Sequence, residues 1–400
     1  MVAVDPLALM TAAQSLYLTG TSAQQKLDSV HGALAAQHGM AGTDPAAGTF
    51  SSQYDPAAKS VYDSVATWAD ACRNLGLMLG ATALNHNDAN AAAAQKPPPD
   101  IGSVPADSTP GPDPATGLPS SLGDPSSAPA WWTLIERYVQ GKLWPNGHQD
   151  RLRSSRTAWH DLASDVDANA WQIYDQMKVI NAQDSPDLDA ATDLFNQLYG
   201  SMADISSASR ALVDTCEAHA ANIDAAHSEI ISQAAEMVIE TALIGGITML
   251  VTGGLAAMGG GAAAEANLSR VGAAIANTVR GFEGTTLAVA GGAAAPAAVG
   301  ARIAATMEGL AGLPVARISA MAAGGNAARL TAEDLQSLRK ADYDAYRAGK
   351  AKLGLPARDE ESWWNTREAF RNAQKQGKDY EDYVQDEAGL TKENGWDPQR

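Results

Sequence analysis

A short stretch, Trp144-Pro145-Asn146-Gly147, restricts the fold of this chain more than any other segment. Proline, asparagine and glycine disfavour a regular helix, and an Asn-Gly pair tolerates the positive φ angles of a tight turn. Downstream, apolar side chains recur at about helical spacing among polar ones, at Leu152, Trp159, Leu162, Val166 and Trp171. We therefore predict a turn that leads into a helix, with Trp144 and Trp159 packing long helices together. Such a corner is structural rather than catalytic.

The composition favours helices that pack closely. Hydrophobic residues make up 45% of the 400 residues but aromatic residues only 6%, and Ala and Gly are abundant. We predict an all-α fold: an antiparallel helical hairpin and a helical bundle joined by a Pro-rich linker, then a Gly/Ala-rich apolar helical segment and a small helical tail. The formal net charge of -18 argues against a nucleic-acid partner, because the surface would not neutralise phosphates.

The first half of the chain divides into a hairpin and a linker. Within residues 1–95, apolar stripes over 5–38 and from Asp55-Pro56 onward flank a Gly-containing turn at 39–45, which predicts two antiparallel helices. Residues 96–130 are rich in Pro, Gly, Ser and Asp and poor in large apolar residues. They predict a disordered, extended linker that tethers the helical modules and leaves contact between them open.

Residues 131–240 form the second predicted helical module. Trp131-Trp132 begin a short amphipathic helix, and the helix after the corner extends to about residue 180. Residues 184–187 break the pattern, and a long helix follows. Its inner face is predicted at Phe195, Leu198, Met202, Ile205, Leu212, Cys216, Ile223, Ile230 and Ile231. Short connections between long helices predict antiparallel neighbours in a bundle.

The order of these features resembles a known family. The run from Trp131-Trp132 through Gly141 and the corner to Ala158-Trp159 is similar to the helical N-terminal domain of mycobacterial channel-and-toxin proteins, which belong to the WXG100-like class of type VII secretion substrates. The resemblance covers about residues 131–240 and, more loosely, the first 95. It implies a helical WXG100 partner or contact with the secretion machinery. The implied packing residues are Trp131, Trp132, Trp144, Pro145, Gly147 and Trp159.

Two further features bear on this resemblance. In the first hairpin, Met40-Ala41-Gly42 stands where the class carries Trp-x-Gly, so the tryptophan is absent. Type VII substrates often carry Tyr-x-x-x-Asp/Glu after a helical hairpin; here Tyr383 and Glu387 fit, but they lie in the tail, and one chance match is expected among ten tyrosines. The N-terminus lacks the basic flank and apolar core of a Sec signal, which predicts a signal-peptide-independent route to the medium or the cell envelope.

Residues 241–327 hold the most apolar part of the chain. No charged side chain lies between Glu240 and Glu265, and about 20 apolar residues suffice to span a bilayer. Small residues that would let another helix approach recur on one face at Gly246, Gly253, Ala257, Gly260 and Gly261. A second run, 284–301, is richer in Ala, Gly and Pro. Two interpretations stay open: a connector that packs in water, and a membrane-inserting hairpin.

The residues offer little support for catalysis. Residues 328–400 form a predicted small helical unit, and none of the seven histidines lies beyond residue 227, so the tail lacks the usual general base. Phosphate-loop, His-Glu-x-x-His and Gly-x-Ser-x-Gly motifs do not occur. Cys216 and His219 lie three apart, but a zinc site needs about four ligands. We predict no catalytic, cofactor or metal residue, and Cys72 and Cys216 as buried apolar residues, with a disulfide between them left open.

These patterns favour a non-enzymatic type VII secretion substrate with helical modules for export and partner binding and a membrane-associating Gly/Ala segment. One alternative is a polymorphic toxin, in which residues 328–400 are a small effector neutralised by an immunity protein. Another is a pore former that uses residues 236–310.

Overall fold

The computed structural model describes residues 4–105, 117–183, 185, 187–245, 262–294, 296–299, 302–303, 347 and 359. Over these residues the chain is all-α, as predicted. In addition, Gly42 and Gly123 form an isolated antiparallel β-bridge. The helices are α1 (Pro6–Ala35), α2 (Pro45–Ala93), α3 (Trp132–Ile135), α4 (Gln149–Asn181), α5 (Asp187–Gly245) and α6 (Ala262–Gly291), and a 3-10 turn (Glu136–Tyr138) follows α3.

The two helices of the first hairpin begin with the same local signal. The side chain of Asp5 accepts hydrogen bonds from the first backbone N–H groups of α1, and Asp44 does the same for α2. A proline follows each aspartate, where its missing N–H is not needed. The prediction that Asp55-Pro56 begins the second helix is wrong. Both Asp-Pro pairs fit the pattern, but α2 starts eleven residues earlier and buries Ala46, Ala47 and Phe50.

Four helices form a bundle in which neighbours run antiparallel. Helix α1 contacts α2 and α4, and α5 contacts both α2 and α4. Thr19 Oγ1 lies 3.2 Å from Gln172 Oε1 across α1 and α4, and Trp68 Nε1 donates to the Leu198 carbonyl, 3.1 Å away, across α2 and α5. Helix α6 returns along α5 and also contacts α2, with Asn222 Nδ2 donating to Thr286 Oγ1 at 2.9 Å.

The first hairpin and the second helical module share one hydrophobic core, which extends from α1 to α6. Phe50 and Trp68 from α2 and Trp159 and Phe195 from α4 and α5 are among its largest fully buried side chains. The modules are therefore packed together and not merely tethered, because each long helix has an apolar surface wide enough to face two neighbours. The domain boundaries drawn from the sequence remain predictions.

The described ends of the Pro-rich segment lie against the hairpin. Ile101 and Val104 are buried, and Ser121 Oγ lies 2.7 Å from Ser51 Oγ of α2. The backbone N–H groups of Gly39 and Ala41 donate to the carbonyls of residues 120 and 121, at 3.1 and 2.8 Å. These parts of 96–130 therefore have a defined place instead of forming a free tether, since their few apolar groups and their backbone find partners.

Two positions in the predicted apolar stripes face solvent. The side chain of Trp171 is 71% exposed and that of Ile231 is 50% exposed. In both cases a neighbour takes the inward position: Ile173 in α4 and Ile230 in α5 are buried. A step of five residues from Val166 to Trp171 overshoots the helical repeat of 3.6, so the tryptophan rotates out of the core.

All of the predicted membrane-packing and secretion-motif residues lie outside the described residues; these are Gly246, Gly253, Ala257, Gly260, Gly261, Tyr383 and Glu387. Much of the second apolar run is described, and Thr286, Ala290 and Ala293 in it are buried within the protein. None of the helices in the described part of the chain combines enough length with enough apolar character to cross a membrane.

Candidate functional site: the tryptophan corner

We call Trp131, Trp132 and the turn Trp144–His148 the tryptophan corner. The three indole rings pack edge to face, with centroids 6.1 Å apart for Trp131–Trp132, 6.0 Å for Trp131–Trp144 and 5.4 Å for Trp132–Trp144. Trp144 also stacks on the imidazole of His227 in α5, at 4.3 Å between ring centroids and 15° between planes. Edge-to-face aromatic pairs are favourable beyond their buried area, so these ring contacts stabilise the corner.

The corner covers a second, smaller core beside the main one. Its members come from α3, the residue after the 3-10 turn, the corner, α5 and α6, and they are Trp132, Ile135, Val139, Trp144, Ile230, Val271, Ile275 and Val279. Gly272 in α6 lies so close to Tyr138 that a β-carbon there would come within 2.7 Å of the Tyr138 carbonyl oxygen. The corner therefore joins α6 to α5 through close packing.

His227 fixes the corner to α5 with both ring nitrogens. Nε2 lies 2.6 Å from the carbonyl oxygen of Pro145, and Nδ1 lies 3.1 Å from the side-chain amide nitrogen of Gln149. Because a carbonyl only accepts and the amide nitrogen only donates, the neutral ring carries its proton on Nε2. The ring thus bridges the turn to the first residue of α4.

The loop between α1 and α2, residues 36–44, docks directly onto the corner. Asn146 Oδ1 accepts hydrogen bonds from the backbone N–H groups of Thr43 and Asp44, at 2.7 and 3.3 Å. In return, the Asn146 N–H donates to Asp44 Oδ2 at 2.9 Å, and the His148 N–H donates to the Met40 carbonyl at 2.8 Å. These reciprocal bonds join two segments about a hundred residues apart in sequence.

Asp44 links the corner to the start of α2. Its Oδ1 accepts from Ala46 N–H and Ala47 N–H at 2.9 and 3.0 Å, while its Oδ2 accepts from Asn146. Burial raises the pKa of the Asp44 carboxyl, and these three backbone donors oppose that rise. One side chain therefore both caps a helix and holds the opposing turn.

Two glycines allow the loop and the corner to approach. Gly42 has a φ of +86°, and a β-carbon on it would lie 2.7 Å from the Asn146 carbonyl carbon. A β-carbon on Gly147 would lie 2.7 Å from Ile223 Cδ1 and 2.8 Å from the Ala41 carbonyl oxygen. Since no larger side chain fits without displacement, the contact depends on glycine at both positions.

The end of the Pro-rich segment joins this contact through Asp124. The Arg151 guanidinium pairs with the Asp124 carboxylate and also donates to the His38 carbonyl at 3.0 Å. This arginine holds the pKa of the Asp124 carboxyl below its usual value. The start of α4, the α1–α2 loop and the segment before the corner are thereby connected.

Trp159 is anchored elsewhere, in the main core. Its Nε1 donates to the Tyr54 hydroxyl at 2.8 Å, and the side chain is fully buried. Burial raises the pKa of Tyr54 well above its ordinary value, so the phenol stays neutral.

The structure thus brings Trp131, Trp132, Trp144, Pro145 and Gly147 together, whereas Trp159 joins α4 to α2. The sequence pattern missed Asp44, Tyr54 and His227, although the Asp44-Pro45 pair was itself a helix-start signal.

The one cysteine and the two histidines of α5 have different neighbours. Cys216 lies beside Tyr54, His219 stacks on Phe50, and His227 packs in the corner. Cys72 and Cys216 are free and buried, and burial raises the pKa of both thiols, that of Cys216 to about 12. Within the described residues no group of three or more potential ligands could hold a metal ion.

Replacing Asn146 with alanine should lower the free energy of unfolding by about 1–3 kcal/mol, because two loop N–H groups lose their acceptor in a partly buried contact. Urea unfolding followed by circular dichroism measures this change. Asn90→Ala, on the exposed surface of α2, is the matched control and should stay within about 0.5 kcal/mol of the original. Equal values for the two variants would contradict the importance of the docked loop.

Comparisons with known proteins identify the middle of the chain. Residues 121–271 match the family model described as a WXG100 like domain. Over 238 residues the chain is 30% identical to the outer membrane channel protein CpnT of Mycobacterium tuberculosis (strain ATCC 25618 / H37Rv), and as similar to that of Mycobacterium bovis (strain BCG / Pasteur 1173P2). Each alignment covers 57% of this chain and 27% of the relative.

A third relative has a different name. Over 157 residues, 39% of this chain and 19% of the relative, the chain is 31% identical to a Mycobacterium avium (strain 104) protein called "Putative NAD(+)--arginine ADP-ribosyltransferase Mav". The chain thus spans about a quarter or less of the length of these curated relatives. No solved structure matches it. The part of the chain that holds the tryptophan corner, α4, α5 and the start of α6 is therefore a WXG100-like domain, in a protein similar to CpnT.

Proposed function

We propose that this chain is a non-enzymatic type VII secretion substrate whose helical body carries its own pairing partner. The observation that supports this most directly is the docking of the α1–α2 loop on the tryptophan corner. The resemblance to the WXG100 class implies a helical partner for α4 and α5, and here α1 and α2 pack on these two helices. The first hairpin then takes the place of a separate helical partner.

The contacts between the hairpins support a permanent pairing. Phe50 of α2 stacks on His219 of α5 at 4.2 Å, and Trp159 of α4 bonds to Tyr54 of α2. The interface resembles a domain core, since its large aromatic side chains are buried and the indole N–H groups of Trp68 and Trp159 are hydrogen-bonded. A second copy or a small helical protein would have to displace α1 and α2 to reach the same face.

Export is the property to test. In the producing bacterium, the full chain should reach the medium or the cell envelope, and deletion of the ATPase that drives type VII secretion should confine it to the cytosol. Immunoblots of cytosol, envelope and medium, with a Sec-exported protein and a cytosolic protein as controls, measure this. An unchanged distribution in the deletion strain would refute the proposed route.

The apolar run 241–264 is proposed to associate with membrane, because it lacks charge and connects α5 to α6. Flotation of the full chain with anionic phospholipid vesicles tests this proposal. Placing aspartates at Ile247 and Leu250 should reduce the bound fraction, whereas Ile231→Asp, at a half-exposed site on α5, should not. Leakage of a vesicle-trapped dye would favour the pore-forming alternative; loss of binding in both variants would contradict a role for this run.

The toxin alternative gains support from the names of the relatives, one of which is called an ADP-ribosyltransferase and one a channel protein. Expression of the full chain in the bacterial cytosol tests it, with a chain ending at residue 327 as the control. The proposed non-enzymatic role predicts equal growth of both strains. Growth arrest that disappears in the shorter chain, or on coexpression of an immunity protein, would establish the toxin.

A further inference from the structure

His219 lies where α2, α5 and α6 meet, and it has no polar partner. The side chain is fully buried, and neither ring nitrogen makes a hydrogen bond. Its imidazole stacks on Phe50 of α2, with ring centroids 4.2 Å apart and planes at 12°. The imidazole also stacks on Phe282 of α6, with ring centroids 6.1 Å apart and planes at 18°. The ring therefore sits between two apolar helix surfaces.

The packed arrangement favours the neutral imidazole. Burial away from water lowers the pKa of His219 to about 4, whereas a solvated histidine titrates near 6.5. At a pH between about 4 and 6.5, His219 is protonated when its ring is exposed to water and neutral when the ring is packed. The packed state therefore loses stability as the pH falls through this window. A protonated His219 ring has two N–H groups. Its attraction to the faces of Phe50 and Phe282 does not replace the hydrogen bonds that these two groups would make in water.

The titratable groups nearby provide no counter-charge for the ring. From α2, Tyr54 is neutral because its pKa is raised. On α5, burial keeps Cys216 as a thiol, and Glu217 is 3.5 Å from each of two arginines of α4, Arg153 and Arg156. From α6, Glu283, next to Phe282, is 2.6 Å from Lys142 Nζ. A proton on His219 would thus remain an unpaired charge.

Helix α6 is the element best placed to move. Trp68, bonded to the Leu198 carbonyl, reinforces the α2–α5 interface, and Tyr54, bonded to Trp159, joins α2 to α4, whereas α6 packs on the outside of the four-helix bundle. We infer that acidification detaches the Phe282 end of α6 from α2 and α5 and leaves the four-helix bundle intact. Detachment exposes the apolar face of α6. In the sequence, residues 246–261 separate α6 from the end of α5.

The experiment measures a distance between spin labels on the full chain as a function of pH. One pair, Lys59→Cys and Leu287→Cys, reports the separation of α2 and α6; a control pair, Gln25→Cys and His160→Cys, reports α1 and α4. All four sites are exposed. The native thiols of Cys72 and Cys216 stay unlabelled, because they are buried and their pKa values are raised.

Between pH 7 and about pH 4.5, the α2–α6 distance should lengthen and broaden while the α1–α4 distance stays constant. His219→Phe, which keeps an aromatic ring and removes the titration, should abolish the change. His160→Gln, at an exposed histidine of α4, should leave the change in the α2–α6 pair intact. An unaltered α2–α6 distance in the original chain, the same response in His219→Phe, or movement of both label pairs would each overturn the inference.

Discussion

Replacing Trp159 with alanine should lower the free energy of unfolding by about 3–5 kcal/mol, the range for truncating a buried large aromatic side chain. Trp159 is 0% exposed, so its loss leaves a cavity between α4 and α2. The substitution also removes the donor that lies 2.8 Å from the buried Tyr54 hydroxyl. Urea unfolding monitored by circular dichroism gives the change as a shift of the midpoint.

Trp171→Ala is the matched control, because it makes the same substitution on the same helix. That side chain is 71% exposed and contacts Tyr174 edge-on at 6.3 Å between ring centroids. Its truncation should change the free energy of unfolding by about 0.5 kcal/mol or less. Similar losses in the two variants would show that α4 presents a different face to the core.

Replacing Gly42 with alanine should lower the free energy of unfolding by at least about 2 kcal/mol. An alanine at a φ of +86° is strained by about 1–3 kcal/mol. Its β-carbon would also lie 2.7 Å from the Asn146 carbonyl carbon, so the loop must shift away from the corner and weaken the bonds to Asn146. Thermal or urea unfolding of the purified chain measures the loss.

Gly48→Ala is the control for this substitution. Gly48 lies six residues further on, in α2, and a β-carbon there meets nothing within 4 Å. Alanine in a helix interior is favoured over glycine by about 0.5–1 kcal/mol, so this variant should be slightly more stable than the original. A loss at Gly48 as large as that at Gly42 would contradict the special role of the docked loop.

The sequence predicted the elements better than their assembly. Helical spacing and turn residues predicted α4, the break before α5 and the burial of Trp144 and Trp159, because these depend on local pattern. The choice between Asp44-Pro45 and Asp55-Pro56 as a helix start could not be made locally, since both pairs carry the same capping chemistry. The decision depends on Asn146, which bonds to the loop from about a hundred residues away.

The sequence did not predict the shared core, for a related reason. A Pro-rich segment predicts separation of the modules on either side, but composition does not reveal that Ile101, Val104 and Ser121 fit against the hairpin. Likewise, periodicity assigned Trp171 a place in the apolar stripe of α4, whereas in the folded chain Trp171 is exposed and Ile173 is buried. His219 could be recognised as helical from the sequence, whereas its lack of partners depends on three helices meeting.

Cutting the chain between the two hairpins tests most directly whether they form one body. A protease site placed within residues 106–116, between the described parts of the Pro-rich segment, allows the purified chain to be cleaved there. After cleavage, the two fragments should elute together from a sizing column at the mass of the intact chain, 41.5 kDa, because α1 and α2 remain packed on α4 and α5. Separation of the fragments into two species under native conditions would contradict the self-paired bundle.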